Sequence, residues 1–289
     1  GHINNQAAGS YVDHRTGPVY LFRAKGKPKL LRPARPASQV FDSIHASGGF
    51  TQINHPRIFP PEVSDQYARL CRGCAWSYSD IDTDYQKVDA YEVTTGPAGF
   101  EGGTDPTQNP FTADAIKTWD RKLAAGNHIA AVGSSDSHRA GRVSSPATQT
   151  PIGKATTVVY AKELSETGVR DAIKAGHSYV KMFGQDRPDL RFEAVSASSQ
   201  RAIMGDTVNG TSAILHAKVL GAVTRGAAAK NGPPYELHLM KDGVSVRSAL
   251  VTGDDFDLDA APDGAGIYRL QLQRGQLVEA VTSPIYVQG

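Results

Sequence analysis

The kind of secondary structure that the sequence predicts changes near residue 185, and this change limits the folds open to the chain. Before it, short apolar runs typical of strands alternate with segments whose apolar residues recur at helical spacing. This alternation predicts an α/β domain with mostly parallel strands. The predicted strands are Phe50–Asn54, Val88–Thr94, His128–Val132 and Thr156–Tyr160, and the predicted helices begin at the N-cap candidates Ser38, Thr112 and Ser165.

The sequence after residue 185 predicts strands without intervening helices. Turn sequences such as Lys241-Asp242-Gly243 separate the strand-like segments. Several short strands in so short a stretch predict a small antiparallel β-sandwich. We therefore expect two domains, 1–185 and 186–289, which also suits a length of 289 residues. The predicted strands are Leu190–Ser196, Ala213–Leu220, Tyr235–Met240, Val244–Leu250, Gly266–Gln273 and Leu277–Val287.

The balance of charges argues against two classes of partner. Lys and Arg total 31 and Asp and Glu total 29, which gives a formal net charge of +2. A dedicated nucleic-acid binder usually carries a strongly basic face, so none is expected here. No run of apolar residues approaches the length that a membrane-spanning helix requires, so we expect no membrane partner.

The only two cysteines lie in one C-x-x-C sequence, Cys71 to Cys74. A four-cysteine zinc site needs a second pair, so the pattern does not support one. Two alternatives remain, a local disulfide in an oxidising compartment or two free thiols, and we favour the disulfide. Together with the appended β-domain, it favours the periplasm or the cell exterior over the cytoplasm.

The segment from Val132 to His138 carries the strongest chemical signal. It follows a predicted buried strand, and an extended backbone would project Asp136 and His138 to the same side. A carboxylate and an imidazole side by side at the end of a strand can bind a divalent metal ion. The alternative is a turn in which Asp136 caps a helix and His138 is solvated.

Two further histidines lie at positions where metal ligands can collect. His55 ends another predicted buried strand, and Pro56 stops that strand. An α/β domain gathers its ligands at such strand ends, although a single His is more often held by backbone hydrogen bonds. His2 is the third candidate, and its alternative is the remnant of a tag.

Four signatures, in their order along the chain, resemble one known family. The resemblance is to the polymerase-and-histidinol-phosphatase (PHP) family of metal-dependent phosphoesterases, and within it to the branch of larger metallohydrolases that includes carbaryl hydrolase. Met204–Thr207 and Ser283–Val287 are similar to the appended β-domain of that branch. The four signatures are Gly1-His2-Ile3-Asn4, Gly48-Gly49 through Asn54-His55-Pro56, Asp89-Ala90-Tyr91-Glu92-Val93, and Gly133-Ser134-Ser135-Asp136-Ser137-His138.

The resemblance implies a fold and a set of ligands. The PHP domain is a distorted (β/α)7 barrel that binds two or three divalent metal ions, here Mn, Fe or Zn, at the C-terminal ends of its strands. By position, the implied ligands are His2, His55, Asp136 and His138, of which Asp136 and His138 are also the implied catalytic residues. Glu92 lies in a signature near the site, but we interpret it as a strand-end carboxylate bonded to a loop rather than as a ligand.

One departure from the family bears on activity. The family begins with an H-x-H motif, followed by further acidic or His ligands, all upstream of the Gly-His-x-Asn signature. The nine His of this sequence occur singly, and it contains no H-x-H. We therefore expect the remaining ligands in an N-terminal segment that precedes Gly1, and this chain alone to carry half a metal site and little activity.

The resemblance implies hydrolysis of phosphoesters, or of related esters and carbamates, by a metal-activated water. Arg57 and Arg139 follow the two ligand signatures and are candidates for binding a small anionic substrate, since guanidinium matches phosphate geometry; the alternative for each is a surface arginine. Trp76, Tyr78 and Tyr85 are candidates for the pocket wall or for simple packing. The competing function is a catalytically degenerate protein that binds a partner through its β-sandwich.

Overall fold

The computed structural model describes residues 2–6, 9–14, 23–24, 27–28, 35–60, 62–66, 74–95, 108–137, 152–225 and 232–289. Within these residues the fold is mixed α/β, with several sheets and few helices. The described strands form open sheets and close no barrel, so the predicted (β/α)7 architecture is not seen. No helix in the same ranges is long and apolar enough to cross a membrane.

Eighteen strands are described. They are β1 (His2–Gln6), β2 (Arg23–Ala24), β3 (Lys27–Pro28), β4 (Phe50–Asn54), β5 (Ala90–Thr95), β6 (Ala130–Ser134), β7 (Thr156–Val159), β8 (Ser178–Lys181), β9 (Asp189–Val195), β10 (Arg201–Ile203), β11 (Thr207–Asn209), β12 (Ile214–Leu220), β13 (Tyr235–Lys241), β14 (Val244–Leu250), β15 (Asp255–Ala260), β16 (Gly266–Arg274), β17 (Leu277–Thr282) and β18 (Ile285–Gln288).

Four described α-helices accompany them: α1 (Ala37–Ala46), α2 (Asp80–Thr83), α3 (Thr112–Ala124) and α4 (Glu166–Lys174), with a 3-10 turn at Tyr85–Lys87. The predicted cap at Ser165 is confirmed, because its Oγ accepts from the backbone N–H of Gly168 at 2.9 Å. The caps predicted at Ser38 and Thr112 are wrong, since Pro36 and Phe111 occupy those positions. Thr112 instead shares a hydrogen bond with Thr94 on β5, at 3.0 Å.

The first sheet has the order β1-β4-β5-β6. Strands β4, β5 and β6 are parallel, as the alternation predicts, while β1 pairs with β4 in the antiparallel sense. Helices α1 and α3 pack on one face through apolar side chains such as Phe41 and Trp119, which are fully buried. On the other face, Ile173 of α4 packs against Phe50, Ala90 and their neighbours.

The strands after residue 185 form the predicted β-rich region. One sheet has the order β10-β9-β12-β15, and a larger sheet contains β13, β14, β16, β17 and β18. Leu190 and Leu215 from the first and Leu237 and Leu270 from the second share one apolar core, so the two sheets pack face to face. Nearly all the pairs are antiparallel, and β11 with β18 is parallel.

The larger sheet extends across the predicted domain boundary. Strand β8 lies before residue 185, yet Val180 on it pairs with Val281 on β17. Val278 and Val281 also pack in the same core as Phe41 and Ile53 of the first sheet. Strands and core residues from both sides of residue 185 are therefore joined directly.

Side-chain hydroxyls connect β6 to the larger sheet. Ser178 Oγ donates to the carbonyl of Ala131 at 3.0 Å, and Ser283 Oγ accepts from the backbone N–H of Ala131 at 3.0 Å. Further along the strand, Thr157 Oγ1 accepts from the N–H of Gly133 and donates to its carbonyl, each at 2.9 Å. We call Thr157, Ser178 and Ser283 the hydroxyl seam. Its hydroxyls form hydrogen bonds with the backbone groups of Ala131 and Gly133 on the side of β6 that pairs with no described strand.

A buried ion pair ties α3 to the β-rich region. Arg269 Nε donates to Asp120 Oδ1 at 2.7 Å and Nη2 donates to Asp120 Oδ2 at 2.8 Å. The two side chains are 2% and 10% exposed, and the guanidinium also lies over the ring of Trp119, 5.8 Å from its centroid. A bidentate pair with this burial fixes both distance and angle between the two elements.

Of the predicted Cys71–Cys74 bridge, the structure describes only one end. Cys74 is disulfide-bonded, whereas Cys71 lies outside the described residues.

Replacing Asp120 by Ala is expected to destabilise the protein by about 3–5 kcal/mol, because the buried charge of Arg269 would then lack a counter-ion. The measurement is the free energy of unfolding in urea. The matched control is Glu193→Ala, which breaks an exposed pair with Arg201 and should cost less than about 1 kcal/mol. Equal effects of the two changes would contradict the importance of the buried pair.

Replacing Thr157 by Val removes one hydroxyl from the hydroxyl seam while keeping the side-chain shape. Two hydrogen bonds to Gly133 are lost together, so we expect a destabilisation of about 1–3 kcal/mol. Thr157→Ser keeps the hydroxyl and should retain most of the stability. A valine variant as stable as the serine variant would show that the hydroxyl seam does not hold β6.

Candidate functional site

The candidate residues gather at one edge of the first sheet because of strand direction. The C-terminal ends of the parallel strands β4, β5 and β6 lie at the same edge, and His55 and Asp136 follow two of them. Strand β1 runs the opposite way, so its first residue, His2, pairs with Asn54 at that edge. Three of the candidate residues therefore lie at strand ends on the same edge of the sheet, and their role as ligands stays a prediction.

The imidazole rings of His2 and His55 contact each other. His2 Nδ1 lies 2.9 Å from His55 Nε2, and the rings meet edge to face at 83°, with centroids 4.8 Å apart. Two imidazole nitrogens that converge in this way can share one proton or bind a common cation. This contact spans 53 positions in the sequence, so the fold creates it.

Burial favours the neutral form of His55. The residue is 6% exposed, and its Nδ1 makes no hydrogen bond of good geometry within the described ranges. Burial lowers the pKa of His55; the carboxylate of Asp136 opposes this shift, and the imidazole of His2 adds to it. A neutral imidazole is the form that coordinates metal ions.

Glu92 links the ends of two strands. It is 1% exposed and lies on β5, between β4 and β6. Glu92 Oε2 accepts from the backbone N–H of His55, and Oε1 accepts from the hydroxyl of Ser134. These bonds agree with the interpretation of Glu92 as a strand-end carboxylate bonded to a loop. The backbone of His55 has φ 30°, an uncommon value for a non-glycine residue, and the bond from Glu92 helps to hold it.

The protonation of Glu92 is set mainly by its burial. Burial raises the pKa of Glu92 to about 7, the hydrogen bonds from Ser134 and His55 lower it in part, and the charge of Asp136 raises it. The carboxyl group therefore titrates near neutral pH, about where a general acid or base is most effective.

Asp136 lies in a turn, which corrects one premise of the sequence prediction. Its φ is 48°, so the backbone is not extended at this residue, and the expected alternation of side chains does not apply. Its charge nevertheless acts on both His55 and Glu92, so it lies within electrostatic range of them. His138 and Arg139, the other predicted residues of this segment, lie outside the described residues.

The described residues supply only part of a metal site. No group of three or more His, Cys, Asp or Glu side chains that could hold a metal ion is found among them. The pair His2–His55, with Asp136 nearby, is the nearest approach to one. Its donor set of imidazole nitrogens and a carboxylate suits Zn, Mn or Fe.

Arg57 lies beside the site but binds carboxylates of its own chain. Its Nε donates to Asp114 Oδ2 at 2.5 Å, and Nη1 lies 2.5 Å from Glu62 Oε1. It also lines a small cleft with His55 and Glu92. These ion pairs hold the Arg57 side chain, which is only 19% exposed and so is not the surface arginine of the alternative; substrate binding by Arg57 stays a prediction.

The aromatic residues after Cys74 pack against the first sheet's helices. Trp76 stacks on Phe41 with centroids 6.2 Å apart, and its Nε1 donates to Thr83 Oγ1 at 3.0 Å. Tyr78 lies against Trp76, at 4.9 Å between centroids. This packing bears out the structural alternative for Trp76.

Sequence reasoning missed the role of Ser134. It lies in the signature from Gly133 to His138, in which only Asp136 and His138 were predicted to act. Its hydroxyl bonds Glu92 across 42 positions, and no local pattern reveals such a partner.

Comparisons of the chain with protein families, curated proteins and solved structures find no match.

The stability of the metal-free protein should depend on pH through Glu92. The unfolded carboxyl titrates near 4.5 and the folded one near 7, so the folded state binds the proton more tightly. Below pH 4.5 the proton on Glu92 contributes about 3 kcal/mol to the free energy of unfolding. This contribution is lost as the pH rises to 7. Glu92→Gln, which does not titrate, should therefore gain about that much relative to the unmodified protein between pH 5 and pH 8.

Urea unfolding at pH 5 and pH 8 measures the free energy of unfolding of the unmodified protein and of Glu92→Gln. Glu193→Gln, an exposed carboxylate on β9, is the matched control and should show no comparable gain. Parallel pH profiles for the unmodified protein and the Glu92 variant would contradict the assignment.

Proposed function

We propose that this protein is a metal-dependent hydrolase of phosphoesters or of related esters and carbamates, working through an activated water. The convergence of His2 Nδ1 and His55 Nε2 at the C-terminal edge of a parallel sheet carries the proposal, because two imidazole nitrogens meet there beside Asp136. The ordered signatures that resemble the PHP family provide the reaction class.

The finer fold belongs to the same proposal. We take β4, β5 and β6, with α1 and α3 on one face, as part of a distorted (β/α)7 barrel. Their parallel order and shared C-terminal edge support this assignment. The domains proposed on this basis are 1–185 for the PHP-like part and 186–289 for the β-sandwich.

Within the chain, His2, His55 and Asp136 would hold a divalent metal ion, and His138 completes the proposed set. Metal ions bound there would lower the pKa of a water molecule and stabilise negative charge on the substrate oxygen. The resemblance implies two or three such ions, so the proposal includes further ligands outside the described residues.

The chain's own groups then position the reactants. Glu92 holds the backbone of His55 and the hydroxyl of Ser134, so it fixes the relative position of the strand ends that carry His55 and Asp136. With a pKa of about 7, Glu92 can also accept or release a proton near neutral pH. Asp136 and His138 are the proposed catalytic residues, and Arg57 and Arg139 the proposed contacts to a small anionic or ester substrate.

Metal content tests the proposal directly. The protein is expressed with any residues that precede Gly1 in its gene, and the metal bound after dialysis is measured by mass spectrometry. We expect Asp136→Ala, His138→Ala and His55→Ala each to lose at least one equivalent of metal, together with esterase activity toward an aryl phosphate. His216→Ala, an exposed His paired with Asp259 in the β-rich region, is the control and should keep both. Unchanged metal content in all three site variants would refute the proposal.

A second candidate function is a degenerate relative that binds a partner through its β-sandwich. The observation that favours it is that the described residues contain no group of three metal ligands. The sequence encoded upstream of Gly1 separates the two candidates: an H-x-H motif there supports the hydrolase, and its absence supports the binding protein.

A further inference from the structure

A second cleft lies next to the candidate site, on the other side of Pro56 and Arg57. It runs between α3 and the segment from Trp76 to Tyr91, and has a volume of about 460 Å³. Small-molecule sites commonly fall in this size range. Neither His2, His55 nor Asp136 lines it. We call it the aromatic groove.

Two buried phenols line the aromatic groove with unused hydroxyl groups. Tyr91 is 1% exposed and Tyr85 is 9% exposed. No hydrogen bond acts on either phenol in the described part of the chain, and both residues line the groove. A buried phenol usually finds a partner for its O–H. These two groups are therefore available to donate to a molecule in the groove.

Charges of both signs act on the two phenols. Arg57 and Arg121 act on Tyr91 and line the groove, while the carboxylates of Asp114 and Asp80 act on Tyr91 and Tyr85 with the opposite sign. Arg57 is paired with Asp114 and Glu62, whereas the bond recorded for Arg121 goes to the neutral Thr118, at 2.9 Å. Within the described ranges Arg121 makes no ion pair, so its charge is not neutralised.

The acidic residue that lines the groove is already neutralised. Lys122 Nζ lies 2.6 Å from both carboxylate oxygens of Asp80, and it also sits over the ring of Tyr85, 4.3 Å from the centroid. The unused polar groups of the groove are thus two phenols, which can donate or accept, and the guanidinium of Arg121, which only donates. A ligand with acceptor oxygens satisfies all three, and negative charge favours it.

The wall of the groove is flat and apolar. Trp76 and Tyr78 lie side by side, with centroids 4.9 Å apart and a 37° angle between their planes. Such a wall suits a planar ring, which can stack on one face or meet an edge. The anionic end and the planar body of one ligand would then meet different sides of the groove.

We propose that the aromatic groove binds a small organic oxyanion with a planar apolar body, its oxygens held by Tyr85, Tyr91 and Arg121. This goes beyond the proposed hydrolase and does not depend on it, because none of the three metal-site residues described takes part. A carboxylate and a phosphate ester share the required chemistry.

Calorimetric titration of the metal-free protein tests the proposal with three probes. Benzoate and phenyl phosphate carry the oxyanion, and benzamide has the shape of benzoate without its charge. We expect benzoate or phenyl phosphate to bind at least tenfold more tightly than benzamide. The tighter of the two oxyanions identifies whether a carboxylate or a phosphate ester is preferred.

Variants locate the binding. Tyr91→Phe removes one donor and should weaken oxyanion binding about tenfold, the usual loss for one hydrogen bond to a charged group. Arg121→Gln, at an exposed position, should abolish the preference over benzamide. Arg201→Gln, an exposed arginine of the β-rich region, is the control and should bind like the unmodified protein.

Two outcomes would overturn the proposal. One is equal binding of benzoate, phenyl phosphate and benzamide, or binding of none. The other is unchanged oxyanion binding in both the Tyr91 and the Arg121 variants. Asp136→Ala should leave benzoate binding intact, so a failure of the metal site and a failure of the groove give different results.

Discussion

The edge of β6 is the constraint on which the arrangement of this molecule depends. A strand in the middle of a protein must satisfy backbone groups on both of its sides, because unpaired buried N–H and C=O groups are costly. On one side β6 has β5, and on the other the hydroxyl seam takes the place of a strand ladder. Because two of its three residues, Ser178 and Ser283, lie on opposite sides of residue 185, the seam makes the two halves of the sequence one structural unit.

The electrostatics of the candidate site depend on how the strands of the first sheet lie around Glu92. Glu92 is enclosed between β4 and β6, and this enclosure makes its carboxyl group hard to ionise. Burial also favours the neutral form of His55, so the site carries less charge than its residue types suggest.

Much of the fold could be predicted because local patterns determine it. Phe50–Asn54 and Val244–Leu250 are strands within the predicted bounds. Strand β15 was missed, since three Asp in its six residues suppress the strand signal although Phe256 and Leu258 alternate correctly. The pairing of β8 with β17 in one sheet could not be predicted either, because pairing between distant strands leaves no local sequence pattern.

For the candidate site, the sequence predicts only the residue types and the edge of the sheet at which they lie. That His55 and Asp136 lie at one edge follows from parallel strands, but the contact of His2 with His55 depends on the reversed direction of β1. The turn at Asp136 and the bond from Ser134 to Glu92 depend on side chains far apart in sequence. The unused phenols of the aromatic groove are likewise visible only when their surroundings are known.

The hydroxyl seam has a consequence for how such a protein can change during evolution. A β-domain joined by a linker alone can be exchanged for another by recombination, because each part keeps its own surface. Here Ser283 contributes a hydrogen bond to the strand that leads to Asp136. Replacing the β-rich half would leave the backbone N–H of Ala131 without this partner, so a change in either half must be accommodated by the other.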